Sequence, residues 1–222
     1  MLLRRSHFVR LLRLSTHDER PRIRQIRPGA EENGWLILRE ADERDLVPRA
    51  QKGDVEAFNV LVSRWEKRIY NYLLRLSPDA EEAFDLSQET FLKAFQNLKR
   101  LDAPERFGSW LYRIAHNEAI SHLRRKRPEG DPPEQSTGHP GAFGMSGVEI
   151  SMAVETALGV LTVEQRESVV LKVCEGFKFE EIASIVDAPV STVKSRVYTA
   201  LDAMRVVLAP LPDTHGAGGA VE

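Results

Sequence analysis

Residues 179–206, FEEIASIVDAPVSTVKSRVYTALDAMRV, read as two short helices joined by a tight turn. Ile182, Ala183, Ile185 and Val186 share one face of the first, and Val193, Val197, Leu201 and Met204 recur at helical spacing along the second. Asp187, Ala188 and Pro189 make the break. The fixed φ and missing N–H of Pro189 suit a helix start, and Asp187 can accept bonds from the orphan N–H groups there. The second helix keeps a polar face of Ser191, Thr192, Lys194, Ser195, Arg196, Tyr198 and Thr199. Short hydroxyls and cations near the start of a second helix suit the major groove of a duplex, with cations on phosphates and the nearest side chains at base edges. An ordinary helical hairpin with a solvated face would carry the same pattern, so this segment alone leaves both readings open.

Just upstream, residues 162–175 form another helix with Val169, Val170, Leu171 and Val173 as its apolar set, ending at Gly176. Thr162 followed three residues later by Gln165 is a capping-box arrangement. Residues 148–160 supply one helix more. Residues 128–147, PEGDPPEQSTGHPGAFGMSG, have no apolar period and read as a Pro/Gly-rich linker. Before the linker lies a second helical unit, residues 41–127. Its first helix spans about 43–52, where an interior Pro48 should kink it, and Gly53 ends it. Asp54 caps a long helix over 54–77 whose Phe58, Leu61, Val62, Trp65, Ile69, Tyr72, Leu73 and Leu76 follow the i, i+3, i+4, i+7 rule. The next, 80–101, buries Phe84, Phe91, Ala94, Phe95 and Leu98, and a break at 102–105 leads to a helix over 107–127. The fold class is all-α: two small helical domains, 41–127 and 148–209, joined by a flexible linker, with a basic mobile extension at 1–40 and a disordered tail at 210–222.

Composition narrows the function. The 222 residues are 42% hydrophobic and 29% charged, enough for real cores. The net charge of −2 hides a basic block, Arg124, Arg125, Lys126 and Arg127, beside a linker that carries only acids. A single cysteine, Cys174, excludes an internal disulfide and any zinc site on paired thiolates, and fits a reducing cytoplasm. No apolar run approaches the roughly 20 residues of a membrane span. Six scattered histidines and no Gly-rich phosphate loop offer no nucleophile with a base at readable spacing, so no catalytic site, metal or cofactor is expected.

DLSQETFLKAFQNLKRL at 85–101 and FGSWLYRIAHNEAISHLRRKR at 107–127 resemble the second conserved region of bacterial sigma factors of the extracytoplasmic-function group. LTVEQRESVVLKVCEGFKFEEIASIVDAPVSTVKSRVYTALDAMR at 161–205 is similar to the same family's fourth region, in the same order and with a linker between. The resemblance implies a promoter-specificity subunit of RNA polymerase. Asp85, Gln88, Glu89, Phe91 and Lys93 would then dock on the clamp coiled coil of the largest polymerase subunit, with further contact to the beta subunit. Leu101, Asp102, Arg106, Phe107, Trp110, Tyr112, Arg113, Asn117, Arg124 and Arg125 would read and melt minus-ten DNA, the loop 101–106 holding a flipped base. Stacking rings, a cation and an amide in one short segment do suit unpaired bases. Lys194, Ser195, Tyr198 and Thr199 would face minus-thirty-five bases, with Ser191, Thr192 and Arg196 on phosphates. Thr199 stands where many relatives carry a second basic residue, and Ser121 where an acid is common. Promoter DNA, core polymerase and an anti-sigma protein are the implied partners. A stand-alone helix-turn-helix regulator is the alternative: it would bind duplex DNA without polymerase.

Overall fold

The computed structural model of the protein describes residues 40–77, 79–126 and 148–208. The N-terminal extension up to residue 39, the linker 128–147 together with Arg127, and the tail beyond 208 lie outside the described residues. Regular structure among the described residues is entirely helical.

Asp42 caps α1 (Glu43–Gln51), its carboxylate accepting from Arg44 N at 2.9 Å. The helix runs on through Pro48. The bond that proline removes would have gone to the carbonyl of Arg44, one turn back at an exposed position where water can replace it. Gly53, at φ +93°, turns the chain into Asp54, which caps α2 (Val55–Leu76) through Ala57 N at 3.1 Å. All eight apolar residues expected on the inner face of α2 are buried.

In α3 (Ala80–Asn97) the buried line runs Ala83, Ser87, Thr90, Ala94, with Leu86 and Phe91 beside it. Phe84 sits one residue, about 100° of helical rotation, away from that line. It is 39% exposed, a correction to its expected place in the core. The helix also stops earlier than expected, giving way to a 3₁₀ turn at Leu98–Arg100. A second 3₁₀ turn, Pro104–Arg106, leads into α4 (Phe107–Lys126).

The second half comprises α5 (Val148–Gly159), α6 (Val163–Val169), α7 (Phe179–Ile185) and α8 (Val190–Leu208). The Thr162–Gln165 capping box is formed in both directions, at 3.3 and 3.1 Å. The single helix expected over 162–175 is instead α6 followed by a π-helical turn, Val170–Cys174, in which Glu175 N bonds back to Val170 O at 3.1 Å. The extra residue in that turn rotates the side chains beyond it about the helix axis. Val173, inside the turn, is 62% exposed rather than core, while just past it the Glu175 side chain is only 6% exposed. In α8 the buried line is Val193, Val197 and Ala200 with Met204 half-buried, which leaves the expected core residue Leu201 exposed, one position off it.

The two halves pack on each other: α7 lies on α4 and α6 on α2. One apolar cluster runs from the α1–α4 bundle through Val170, Leu171, Ile182, Ile185, Val186, Val193 and Val197.

Candidate nucleic-acid interface

The turn between α7 and α8 is built from the backbone. Val186 N and Ala188 N bond back to the carbonyls of Ile182 and Ala183 at 2.9 and 3.1 Å, and Asp187 between them takes φ +49°. An aspartate tolerates this left-handed conformation better than a branched residue. Val193 N then bonds to Pro189 O at 3.1 Å and α8 is under way. With Val193, Val197 and Ala200 turned inward, Ser191, Lys194, Ser195, Tyr198 and Thr199 are exposed and Thr192 and Arg196 half-buried. The seven residues thus share one open edge. Phe179, not singled out from the sequence, props it: its ring lies 6.3 Å from that of Tyr198, with Lys194 Nζ 5.6 Å and Lys172 Nζ 4.8 Å from its centroid. An aromatic at the head of the first helix was the signal available for it.

The segment 101–126 divides. Leu101, Phe107 and Tyr112 are buried; Trp110 is half-buried, tilted over Phe107 at 6.0 Å. Asp102, Arg106, Arg113, Asn117, Arg124 and Arg125 are exposed. Trp110, Arg113, Asn117, Ser121 and Arg124 recur at steps of three or four, so they form one stripe along α4 that ends in a cationic last turn. The buried rings are architecture: Tyr112 packs edge-on against Trp65, Tyr72 and Phe177 at 6.1, 5.0 and 5.1 Å. Burial first, then the Glu175 carboxylate, holds the Tyr112 phenol far above its ordinary value. Its hydroxyl is the one buried side-chain polar atom among the described residues without a hydrogen-bond partner. Gly108 lies so close under Trp65 that a Cβ there would meet the indole at 2.5 Å.

On α3, Asp85 is exposed, Gln88, Glu89 and Lys93 are half-buried, and Phe91 is buried in the core. Lys93 Nζ lies 2.6 Å from Glu118 and 3.6 Å from Glu89, and the Glu118 bond raises its pKa. It ties α3 to α4 as well as facing outward. The exposed Phe84 ring adjoins Asp85 in sequence and adds an apolar element beside the acids.

Between the halves lies a polar network that sequence reading missed, because its members come from three helices and the segment after the π turn. Tyr72 Oη donates to Glu167 Oε1, and His116 Nδ1 lies 2.7 Å from the same oxygen. Burial and then the Glu167 carboxylate push the Tyr72 phenol well up. Arg68 Nε donates to Glu175 Oε2 at 3.0 Å. Arg166 donates to the carbonyls of Leu158, Leu161 and Arg75 at 2.9, 3.3 and 3.4 Å, and burial lowers its pKa. The described residues hold no cluster of His, Cys, Asp and Glu fit for a metal and no helix long and apolar enough to cross a membrane.

Comparison with known proteins identifies this arrangement. The Sigma-70 region 2 family matches residues 61–129, and Sigma-70, region 4 matches 151–204. The RNA polymerase sigma-H factor of Pseudomonas aeruginosa is 34% identical over 79% of this chain and 98% of its own length. The ECF RNA polymerase sigma factor SigW of Bacillus subtilis is 30% identical over 74% of this chain and 96% of its own. Among solved structures, CnrH in complex with the cytosolic domain of CnrY matches with a TM-score of 0.58 at 25% identity, over 75% of this chain and 96% of that one. The sigma factor RpoE of Bartonella quintana, in complex with the anti-sigma factor NepR, gives 0.57 at 26%, over 68% and 96%. The chain belongs to the sigma-70 family, in its extracytoplasmic-function group.

Proposed function

We propose that the protein is a promoter-specificity subunit that binds core RNA polymerase in the cytoplasm, directs it to promoters and assists melting. The observation that carries this reading is the pairing of two open edges in one chain: the α8 edge around Lys194 and Tyr198, and the α4 stripe Trp110, Arg113, Asn117 and Arg124. In the reading, α8 reads minus-thirty-five bases through Lys194, Ser195, Tyr198 and Thr199 and phosphates through Ser191, Thr192 and Arg196. The α4 stripe with Asp102 and Arg106 takes the minus-ten strand, Arg124 and Arg125 holding its backbone. Asp85, Gln88 and Glu89 on α3 dock on polymerase, Phe84 being an apolar addition to that face. An anti-sigma protein, of the kind named in the Bartonella quintana complex, is the expected regulator.

Elements named minus-ten and minus-thirty-five are about 25 base pairs apart, roughly 85 Å of duplex at 3.4 Å per pair. Here α4 and α7 are packed in contact, so simultaneous use of both edges requires the halves to separate. Residues 127–147 can span about 70 Å when extended, which with the helices themselves is long enough.

Run-off transcription with core polymerase and a promoter library tests the function. Discrete transcripts that appear only when the chain is added support it. Sequence-selective binding of duplex DNA by the chain alone, with no effect on polymerase, would replace it with the stand-alone regulator.

A further inference from the structure

Gln51 ends α1 half-buried, and its side-chain amide reaches across the chain to the segment leaving α3. Nε2 donates to the carbonyl of Leu98 at 3.0 Å and to that of Leu101 at 2.7 Å. A primary amide has two N–H groups, so both donors are spent on these carbonyls. Leu101 N bonds to Leu98 O at 3.1 Å, which means that the amide clasps the two ends of a single 3₁₀ turn. The side chains of Leu98 and Leu101 are buried and fix that turn from below. At the other end of the loop, Arg106 N bonds to Ala103 O at 2.9 Å and Ser109 Oγ to Arg106 O at 3.1 Å. Asp102, Glu105 and Arg106 project outward from this doubly fixed frame.

We infer that Gln51 is a positioning residue for base capture: its amide presets the loop 101–106 in the form that receives an unpaired base. This rests on the reading of that loop as the base-holding element. A loop held in its bound form before the ligand arrives loses less conformational entropy on binding. Neither carbonyl can keep this bond if position 51 lacks an N–H donor, and the entry side of the loop is then held only by its own turn and the buried leucines. The polymerase-facing edge of α3 and the α8 edge do not depend on the clasp, so the effect is confined to one nucleotide.

The test uses holoenzyme reconstituted from the full chain and core polymerase, with a single-stranded minus-ten oligonucleotide from a promoter it opens. An abasic site is moved through the oligonucleotide one position at a time. Wild type should show one position where the base improves binding by about tenfold over the abasic site, the size of one hydrogen-bonded base edge. Gln51→Met, similar in length but without donors, should lose that discrimination while binding the abasic oligonucleotide and core polymerase as wild type does. Gln51→Glu, which places a carboxylate against the two carbonyls, should do the same, and serves in its place if the methionine variant melts early. Full discrimination in a folded Gln51 variant overturns the proposal. Loop variants Asp102→Ala and Arg106→Ala separate the two readings. Loss in the loop variants but not at Gln51 sinks only the positioning role, and full discrimination in all of them sinks base capture by this loop as well.

Discussion

The α8 edge and the α4 segment both read, in sequence, as DNA-facing, yet the fold treats them differently. Every residue named on α8 reaches the surface, fully or in part, whereas Leu101, Phe107 and Tyr112 of the minus-ten set are buried. The cause is packing. In α8 the line Val193, Val197, Ala200 covers the contacts with α6 and α7, leaving the rest of the helix to solvent. By contrast α4 is enclosed by α2, α3 and α7, so its rings fill space between helices, and the stripe Arg113, Asn117, Ser121, Arg124 with Arg125 and Lys126 in the last turn stays open. On α8 and α4, small polar residues and cations at helical spacing are dependable markers of the accessible edge, although α3 buries Ser87 and Thr90 in its own inner line. Aromatic residues are not, since the same ring serves as stacking platform or as core.

The largest effect that can break this contrast is expected at Phe107. Phe107→Ala empties a fully buried site packed against Trp65 and should cost about 3–5 kcal/mol of stability. Denaturant melts of the variant measure it. A variant as stable as wild type, with a defect only in DNA melting, would put Phe107 back among the base contacts.

Glu167 comes next. Glu167→Ala leaves the buried Tyr72 hydroxyl without its acceptor and His116 without its partner, a loss of about 1–3 kcal/mol. The loss should appear together with a larger separation of the two halves by small-angle scattering, because the carboxylate joins α6 to α2 and α4. Loss of stability with no change in separation would make the network a local matter of one half.

On the open edges, changes should alter function while leaving stability within about 0.5 kcal/mol. Lys194→Ala should change base preference at one upstream position by about 1–3 kcal/mol. Arg196→Ala should instead weaken binding to all promoters and lower the salt slope by about one. Identical selectivity profiles for the two would remove the division of labour along α8. Changing Arg113 and Asn117 together to Ala should leave polymerase binding intact and reduce permanganate reactivity of the melted strand on duplex templates. Normal melting by that double variant would reduce the α4 stripe to a solvated face.

Much of the fold was legible because it derives from local patterns. The apolar period of α2, the Asp54 cap and the Thr162–Gln165 capping box each specify themselves within a few residues. Phe84, Val173 and Leu201 were misplaced for one shared reason. Each lies one helical step from a buried line, or inside a π turn that changes the register, and a simple apolar count does not resolve 100°. The Tyr72, His116 and Glu167 meeting was not legible at all, since the pairs are 95 and 51 residues apart. The clasp of Gln51 on Leu98 and Leu101 escaped for the same reason.

The smallest effect sharpens the comparison most, because its sign separates the two roles of an aromatic. The Tyr112 ring is buried among Trp65, Tyr72 and Phe177, and its hydroxyl has no hydrogen-bond partner. An unsatisfied buried hydroxyl is a net cost, so removing it while keeping the ring should not destabilise. Tyr112→Phe is expected to be neutral or to stabilise by up to about 1 kcal/mol, with open-complex formation unchanged. A residue that met DNA through its hydroxyl would behave in the opposite way, keeping its melting temperature and losing open complex. Thermal melts and permanganate footprints of the one variant decide between them. A clear loss of stability would mean that the hydroxyl finds a partner.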